Sequence, residues 1–314
     1  MKTLHLRETD KLEVTVLVDN YSDVFLQGSA IAQRPLSPPP NLPLAEHGFA
    51  CLVKVQAGTE EHTVLFDAGA STICFFHNAK LLGIDFTKLE SIALSHGHFD
   101  HFGALLKFLK DGGRKISFVC HPDAFLERRL NIPALGMTVN MGMLSEADLR
   151  QTRVTIHKIA EASTLAEGLV MVTGEVERVT DFEKGFPWAE AKIEDKWVAD
   201  PLRDDQGLVI NLKGKGLVVL SGCSHTGIIN IVKYAQKISG IERIHAVMGG
   251  FHLTGPLFEP IIDVTVEEMK KIGPEIIVPM HCTGWKAINR FVDRMPQQCT
   301  LNSVGTKYIF NSAS

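Results

Sequence analysis

The stretch Ser95-His96-Gly97-His98-Phe99-Asp100-His101 contains four candidate metal ligands within six positions, between an apolar run and a segment with helical spacing. Imidazoles and a carboxylate crowded at the end of a buried strand lose water without apolar compensation, and a divalent cation resolves that conflict. Side chains alternate along an extended chain, so we expect His96, His98 and Asp100 to point one way and His101 the other. The cluster therefore predicts a site that serves two neighbouring metal ions.

Three more histidines follow strands of β-branched character, at His225, His252 and His281, each beside Gly, Cys or Thr. Together with the cluster they exceed what one tetrahedral ion uses, which favours a dinuclear centre. Zinc, manganese and iron all accept imidazole and carboxylate ligands; we expect two divalent ions, preferably zinc, with manganese or iron as alternatives. Such a centre activates water for attack on a phosphoester or acyl centre.

The composition and charge of the chain limit which kinds of partner it is expected to bind. The 314 residues are 45% hydrophobic, enough for a substantial core. The formal charge is −4, from 32 basic and 36 acidic residues, and no basic block exceeds a pair such as Arg128-Arg129. Nucleic acid and membranes are therefore not expected partners, because binding phosphate backbones or anionic lipid needs a concentrated basic face. We expect a small phosphorylated or anionic substrate, and a homo-oligomer is compatible with the sequence.

Two features predict a cytoplasmic location. The N-terminus is charged and no apolar run reaches about eighteen residues, so neither a secretory signal nor a membrane span is expected. The cysteines contain no CxxC pair, which is typical of reduced thiols rather than of a disulfide framework. The six are Cys51, Cys74, Cys120, Cys223, Cys282 and Cys299.

Apolar alternation predicts a layered α/β protein. Residues 49–55 with 63–66, and 207–212 with 216–220, read as two hairpins. Asp67 follows the first hairpin at a strand end, where layered α/β folds gather ligands. It is placed to orient a metal-bound histidine or to cap the next helix, two roles that do not exclude each other. For His47, which precedes this hairpin on a loop, we expect bonding to its own backbone rather than contact with a pocket.

We expect a single domain over residues 1–314 with two lid-like insertions, near residues 126–149 and 181–205. Both segments lack a regular apolar period, and long irregular segments inside compact domains are usually functional or disordered. Trp188 and Trp197 lie in the second segment and are candidate stacking partners for a flat substrate. A surface hairpin that buries both rings is the alternative.

The pattern His96-x-His98-x-Asp100-His101 after a hydrophobic strand, with Phe66-Asp67-Ala68-Gly69 upstream, resembles the metallo-β-lactamase superfamily. The resemblance covers almost the whole chain. It implies an α/β (α+β layered) fold, an αββα sandwich of two mixed β-sheets flanked by helices, with the metals at one edge. The motifs around His225, His252 and His281 resemble one branch, the 7,8-dihydropterin-6-methyl-4-(β-D-ribofuranosyl)aminobenzene 5′-phosphate synthase-like proteins of methanopterin biosynthesis.

The chain departs from the superfamily pattern at the bridging ligand. The usual aspartate is absent, because Ser221-Gly222 is followed by Cys223. Either Cys223 or His225 is placed to replace it, although a small buried thiol is the plainer role for Cys223 and for Cys282. The third ligand motif is also open, since either Glu175 or His225 can fill it.

The resemblance implies a set of site residues. The expected metal ligands are His96, His98, Asp100, His101, His225 and His281, with Asp67 behind them. Asp100 and His252 are the candidate catalytic residues, His252 as a ligand or as a proton donor to a leaving group. Glu175, Arg178, Trp188 and Trp197 are candidate substrate contacts, the alternative for the first two being solvent-exposed hairpin positions.

These observations predict a metal-dependent hydrolase, or a condensing enzyme, whose dinuclear centre activates water against a phosphorylated small molecule such as a pterin-related phosphoester. A diiron oxygen or nitric oxide reductase-like protein is one alternative, although such proteins normally carry a fused flavin domain for which no residues remain. A metal-containing ligand-binding protein without turnover is the other.

Overall fold

The computed structural model describes residues 3–113 and 115–313. Its strands are β1 Glu8–Thr9, β2 Lys11–Val18, β3 Ala32–Gln33, β4 Ala50–Ala57, β5 Glu60–Phe66, β6 Ser91–Ala93, β7 Ile116–Cys120, β8 Arg128–Ile132, β9 Met137–Asn140, β10 Val154–Lys158, β11 Ser163–Leu165, β12 Val170–Val172, β13 Ala189–Ile193, β14 Lys196–Ala199, β15 Gly207–Leu212, β16 Gly216–Ser221, β17 Ile244–Gly250, β18 Ile276–Met280 and β19 Lys307–Asn311. Its α-helices are α1 Thr72–Leu81, α2 Phe99–Phe102, α3 Leu105–Gly112, α4 Glu146–Arg150, α5 Ile228–Ser239, α6 Ile262–Ile272 and α7 Trp285–Arg294. None of the helices in these two ranges is long and apolar enough to cross a membrane.

Two large mixed sheets carry the site. One has eight strands in the order β10-β7-β6-β5-β4-β2-β19-β3. The other runs β11-β12-β15-β16-β17-β18, with β1 added to β15. Both predicted hairpins are confirmed as the antiparallel pairs β4–β5 and β15–β16. In the first sheet β6 is parallel to β5 and β7, and in the second sheet β16, β17 and β18 are parallel to one another. The carboxyl ends of these histidine-bearing strands therefore meet at one edge.

Alternating side chains build the four layers. In β2, Val16 packs into the core between the sheets, whereas Leu17 packs toward the helices that cover the eight-stranded sheet. That outer layer includes Phe75 of α1 and Leu105 of α3. Helices α5, α6 and α7 cover the other sheet through residues such as Phe291. The predicted αββα sandwich is therefore confirmed.

A third sheet, in the order β14-β13-β8-β9, is built from the two segments expected to be irregular. The expectation of irregular structure is wrong there, because both segments contain strands. Ala189 of β13 pairs with Leu130 of β8, so these two strands satisfy part of each other's backbone hydrogen bonds across the sequence. The spacing of apolar residues within one segment cannot show that it pairs with the other segment.

Candidate metal centre

The loop that carries the first histidines is clamped from outside the site. Gly97 N donates to Asp204 Oδ2 at 2.8 Å, and Arg128 Nη1 donates to Gly97 O at 3.3 Å. A Cβ atom at Gly97 would lie 2.1 Å from the carbonyl oxygen of Ala124, so this position accepts glycine alone. The backbone between His96 and His98 therefore has a fixed course.

Three imidazoles form what we call the first ligand group: His96, His98 and His225. His96 Nε2 lies 3.0 Å from His98 Nδ1, and His225 Nε2 lies 3.1 Å from each of those two atoms. The edge of a tetrahedral zinc site with nitrogen ligands is about 3.3 Å. The three nitrogens thus have the spacing of three corners of a tetrahedral coordination shell.

The protonation of this group also fits a metal. Burial lowers the pKa of each of the three imidazoles well below 6.5, and neighbouring cationic groups, including Arg128, lower it further. Neutral imidazole is the form that binds a metal. Their converging nitrogens cannot all donate to one another, and a cation satisfies their lone pairs.

Asp100, His101 and His281 form the second ligand group, which lies beside the first. Asp100 Oδ2 is 3.3 Å from His281 Nε2 and 3.8 Å from His101 Nε2. Burial opposes ionisation of Asp100, but the two histidines outweigh it and lower the pKa of this carboxyl. Burial likewise opposes protonation of His281, yet Cys282 and Asp100 raise the pKa of its imidazole to about 9.

The expected alternation of side chains is wrong at Asp100, which joins His101 rather than His96 and His98. The chain leaves the extended conformation at Phe99, where α2 begins. Within a helical turn, successive side chains no longer point to opposite faces. The cluster still supplies both ligand groups, but it divides after His98.

Polar partners behind the ligands fix their orientation. His101 Nδ1 lies 2.7 Å from Asp67 Oδ2, and Asp67 Oδ1 accepts from the backbone N of Ser95 at 2.7 Å. Asp67 does not cap α1, because the cap is Ser71, whose side chain accepts from Cys74 N. The bond leaves His101 Nε2 directed toward the site.

His281 is held from the opposite side of the site. Its Nδ1 lies 2.9 Å from Asn20 Oδ1, and its backbone N donates to Asp19 Oδ1 at 2.7 Å. Its Nε2 is buried and has no hydrogen-bond partner among the described residues. An unpartnered buried ring nitrogen that faces a carboxylate fits the role of a metal ligand.

The backbone around the site adopts unusual conformations. Asp67, Ser224, His252 and His281 have φ of 62°, 63°, 46° and 48°, a region that residues other than glycine rarely adopt. Such residues cluster at functional sites, where the surrounding structure imposes them. Four of the nine non-glycine residues with positive φ in the described chain are thus candidate ligands, their supports or the neighbouring His252.

A cavity of about 250 Å³ opens over the first ligand group. His98, His225 and His252 form its floor, and the rings of Phe186 and Trp188 are in its wall. The structure thus brings Trp188 to the site, as expected. His252 is half-buried, with its ring centroid 4.3 Å from that of His225.

The other three expected substrate contacts lie elsewhere. Glu175 and Arg178 are exposed and are absent from the described residues that line this cavity. Trp197 stacks under Arg129, whose guanidinium carbon is 4.1 Å from the ring centroid. Of the two candidates for the third motif, Glu175 lies away from the cluster, whereas His225 Nε2 lies 3.1 Å from His96 Nε2 and from His98 Nδ1.

A second cavity, of about 450 Å³, reaches the centre from the side of the second ligand group. Its lining includes His281 and the ring pair Tyr21 and Trp285, whose centroids are 5.2 Å apart. The two cavities share His47, Thr254 and Cys282. The centre is therefore accessible from two sides.

The expectation for His47 is wrong. Its Nδ1 lies 3.2 Å from Asn20 Nδ2 and its Nε2 lies 3.4 Å from Asp100 Oδ2, so it touches the site rather than its own backbone. Asn20, which contacts both His47 and His281, is not among the residues singled out from the sequence. A polar Asp-Asn pair directly after a buried strand was the available signal.

Comparisons with known proteins point to the same fold and to the same superfamily. The family model described as the metallo-beta-lactamase superfamily matches residues 47–117. The 7,8-dihydropterin-6-methyl-4-(beta-D-ribofuranosyl)-aminobenzene-5′-phosphate synthase of Methanocaldococcus jannaschii is 33% identical over 81% of this chain and 86% of its own length. An uncharacterized protein of that organism is 32% identical over 78% of this chain and 87% of its own.

Among solved structures, the crystal structure of Tm1679, a metal-dependent hydrolase of the beta-lactamase superfamily, matches with a TM-score of 0.73 and 25% identity. The match covers 96% of this chain and 100% of that one. On the strength of the fold, the ligand pattern and the identity to the synthase, this chain belongs to the metallo-β-lactamase superfamily, in the branch of that dihydropterin-ribofuranosylaminobenzene phosphate synthase.

Proposed function

We propose that this protein is a metal-dependent hydrolase with two divalent ions, preferably zinc, that acts on a phosphorylated small molecule. The observation that supports it most is the convergence of two adjacent ligand groups, beside a cavity that His98, Asp100 and His225 line. Superfamily membership adds that such sites bind metals.

The residues fit two ions. His96, His98 and His225 would hold one, and Asp100, His101 and His281 would hold the other, with Asp67 orienting His101. When bound, the ions supply Lewis acidity toward an anionic substrate and lower the pKa of water at the site. The protein adds little compensating charge, since Asp100 is the one carboxylate in the two groups, and this favours an anionic substrate.

His252 is placed to handle a proton at the leaving group. Its ring lines the cavity beside His225, and its Nδ1 finds no hydrogen-bond partner among the described residues. The rings of Phe186 and Phe258 pack against it, at centroid distances of 5.3 and 4.4 Å. These apolar neighbours exclude water from one side of the imidazole, so a proton passes to a bound substrate rather than to solvent.

A condensing enzyme is the second candidate, and the two cavities favour it. A hydrolase needs room for one substrate and water, whereas a condensation brings two organic reactants to the same centre. The related synthase is named for making a pterin-related phosphate compound, consistent with a pterin-related substrate here. The Tyr21–Trp285 pair in the second cavity offers flat surfaces for such a ring.

Metal depletion and reloading tests the proposal. Chelator-treated protein should be inactive, and reloading with two equivalents of Zn²⁺, Mn²⁺ or Fe²⁺ should restore cleavage of p-nitrophenyl phosphate or bis(p-nitrophenyl) phosphate. His252→Gln should lower kcat while metal content stays at two. Fully loaded protein that cleaves neither probe contradicts the hydrolase and favours the condensing enzyme or a binding protein.

Three further assignments are part of the proposal. Residues 1–314 form one domain, supported by the continuous core between its two large sheets, and the segments near 126–149 and 181–205 are insertions that close over the cavity. The location is cytoplasmic, supported by six cysteines that are all free. The partner is a small molecule.

A further inference from the structure

Cys223 occupies a position that no other residue in the described chain shares. Its Sγ lies within 4.8 Å of the ligand atoms of His96 and His225, and equally within 4.8 Å of those of Asp100, His101 and His281. The distance to His101 Nε2 is 3.2 Å. The thiol therefore contacts the second ligand group and lies near two residues of the first.

The competing candidates for this position do not reach both groups. His225 is in contact with His96 and His98, but it is not among the described residues grouped with Asp100 and His281. Cys282 is equally buried and is grouped with Cys223 and His252, yet with neither ligand group in the described chain. Of the two neighbouring thiols, Cys223 is therefore the central one and Cys282 the peripheral one.

The turn that carries Cys223 is built to hold its sulfur there. A Cβ atom on Gly222 would lie 2.3 Å from Ser95 Oγ, so the turn packs directly on the ligand loop. Ser224 adopts φ of 63°, and its Oγ donates to the backbone oxygen of Gly250 at 2.6 Å. The backbone on both sides of Cys223 is thereby fixed.

We propose that Cys223 is a thiolate ligand that bridges the two metal ions, in the place where a carboxylate would otherwise stand. This inference rests on the proposed dinuclear centre. On binding, the sulfur forms a bond to each ion and the thiol proton leaves to solvent. The thiolate supplies a second negative charge beside Asp100. Zinc and other borderline-soft ions accept such a mixed nitrogen, oxygen and sulfur shell.

Cobalt substitution tests the bridge without relying on turnover. Metal-free protein titrated with Co²⁺ should bind two equivalents and develop a sulfur-to-cobalt charge-transfer band in the near ultraviolet. Cys223→Ser should lose the band and bind the second equivalent about tenfold or more weakly. Cys282→Ser is the matched control and should keep both. Cys223→Asp should recover the second equivalent without the band, which a merely structural thiol would not do.

A second measurement covers the case in which Cys223→Ser does not fold. X-ray absorption of zinc-loaded Cys282→Ser protein should show a sulfur neighbour at about 2.3 Å, and its absence overturns the proposal. A band that persists in folded Cys223→Ser, or disappears in Cys282→Ser alone, also overturns it. Two bound equivalents with no band in the wild type refute the thiolate but leave the dinuclear centre standing, whereas fewer than two refute the centre itself.

Discussion

Replacing Arg128 with methionine should destabilise the protein and loosen the ligand loop together. Arg128 is among the largest fully buried side chains, with 2% of its surface exposed. Its Nε donates to Asp200 Oδ2 at 2.7 Å, and its Nη2 donates to Asp204 Oδ1 at 2.8 Å. Asp204 in turn accepts from Gly97 N, so the guanidinium neutralises the carboxylate that holds the loop between His96 and His98.

The size of the effect follows from the two carboxylates that the substitution leaves behind. Removing one partner of a buried ion pair costs about 3–5 kcal/mol, because the remaining charge stays away from water. Asp200 and Asp204 keep backbone donors, from Leu202 N and Gly97 N, which limits the cost to this range. We therefore expect Arg128→Met to lose about 3–5 kcal/mol of unfolding free energy.

Urea unfolding of metal-free wild-type and variant protein at pH 7 measures this loss without a contribution from bound metal. Adding Asp200→Asn and Asp204→Asn to Arg128→Met should recover most of it, because no buried charge remains. A loss below about 1 kcal/mol, the range of exposed ion pairs, would refute the reasoning. So would a triple variant no more stable than Arg128→Met.

The remaining predictions concern metal content, pH and the cavity. In elemental analysis, His98→Ala and Asp100→Asn should each contain one metal equivalent instead of two. Both variants should be inactive, and their circular dichroism spectra should match that of the wild type. Unchanged metal content in both variants contradicts the assignment. Burial raises the pKa of Glu183 to about 7 from an ordinary 4.5, so the folded protein holds this proton more tightly than the unfolded chain does. Its stabilising contribution is complete below pH 4.5 and is lost as pH rises through 7, by up to about 3 kcal/mol, whereas Glu183→Gln should lack this fall in urea titrations. Trp188→Ala should raise KM for an aryl phosphate several-fold and Trp197→Ala should not; equal effects would contradict the cavity wall.

The sequence predicted the fold, and it singled out most of the residues that the structure brings together at the candidate centre, because strand ends are local features. Each of His225, His252 and His281 follows a strand that can be recognised in the sequence by its apolar residues. Parallel strands bring their carboxyl ends to one edge of the sheet. The sequence did not predict how residues 95–101 divide between the two ligand groups, since the division depends on where α2 begins. Element boundaries are the least reliable part of such an interpretation.

What the sequence did not predict depends on tertiary contact. His47 reaches Asp100 from a loop with no periodic signal, and Asn20 meets His281 across 261 positions. The third sheet joins two segments about 60 residues apart in the sequence. The sequence left the bridging position open between Cys223 and His225, and only distances place Cys223 near both ligand groups.

The third sheet has a consequence for how this molecule can diversify. Strands β8, β9, β13 and β14 pair with one another and with no strand of the large sheets in the described chain, yet Leu130 and Met141 of this region line the cavity. The wall can therefore be exchanged as a unit while the ligand-bearing sheets keep their registers. Arg128 sets the boundary of that unit, because it is the first residue of β8 and also the clamp on the ligand loop. We expect a transplanted wall to function only if Arg128, Asp200 and Asp204 are retained, because these side chains hold the ligand loop.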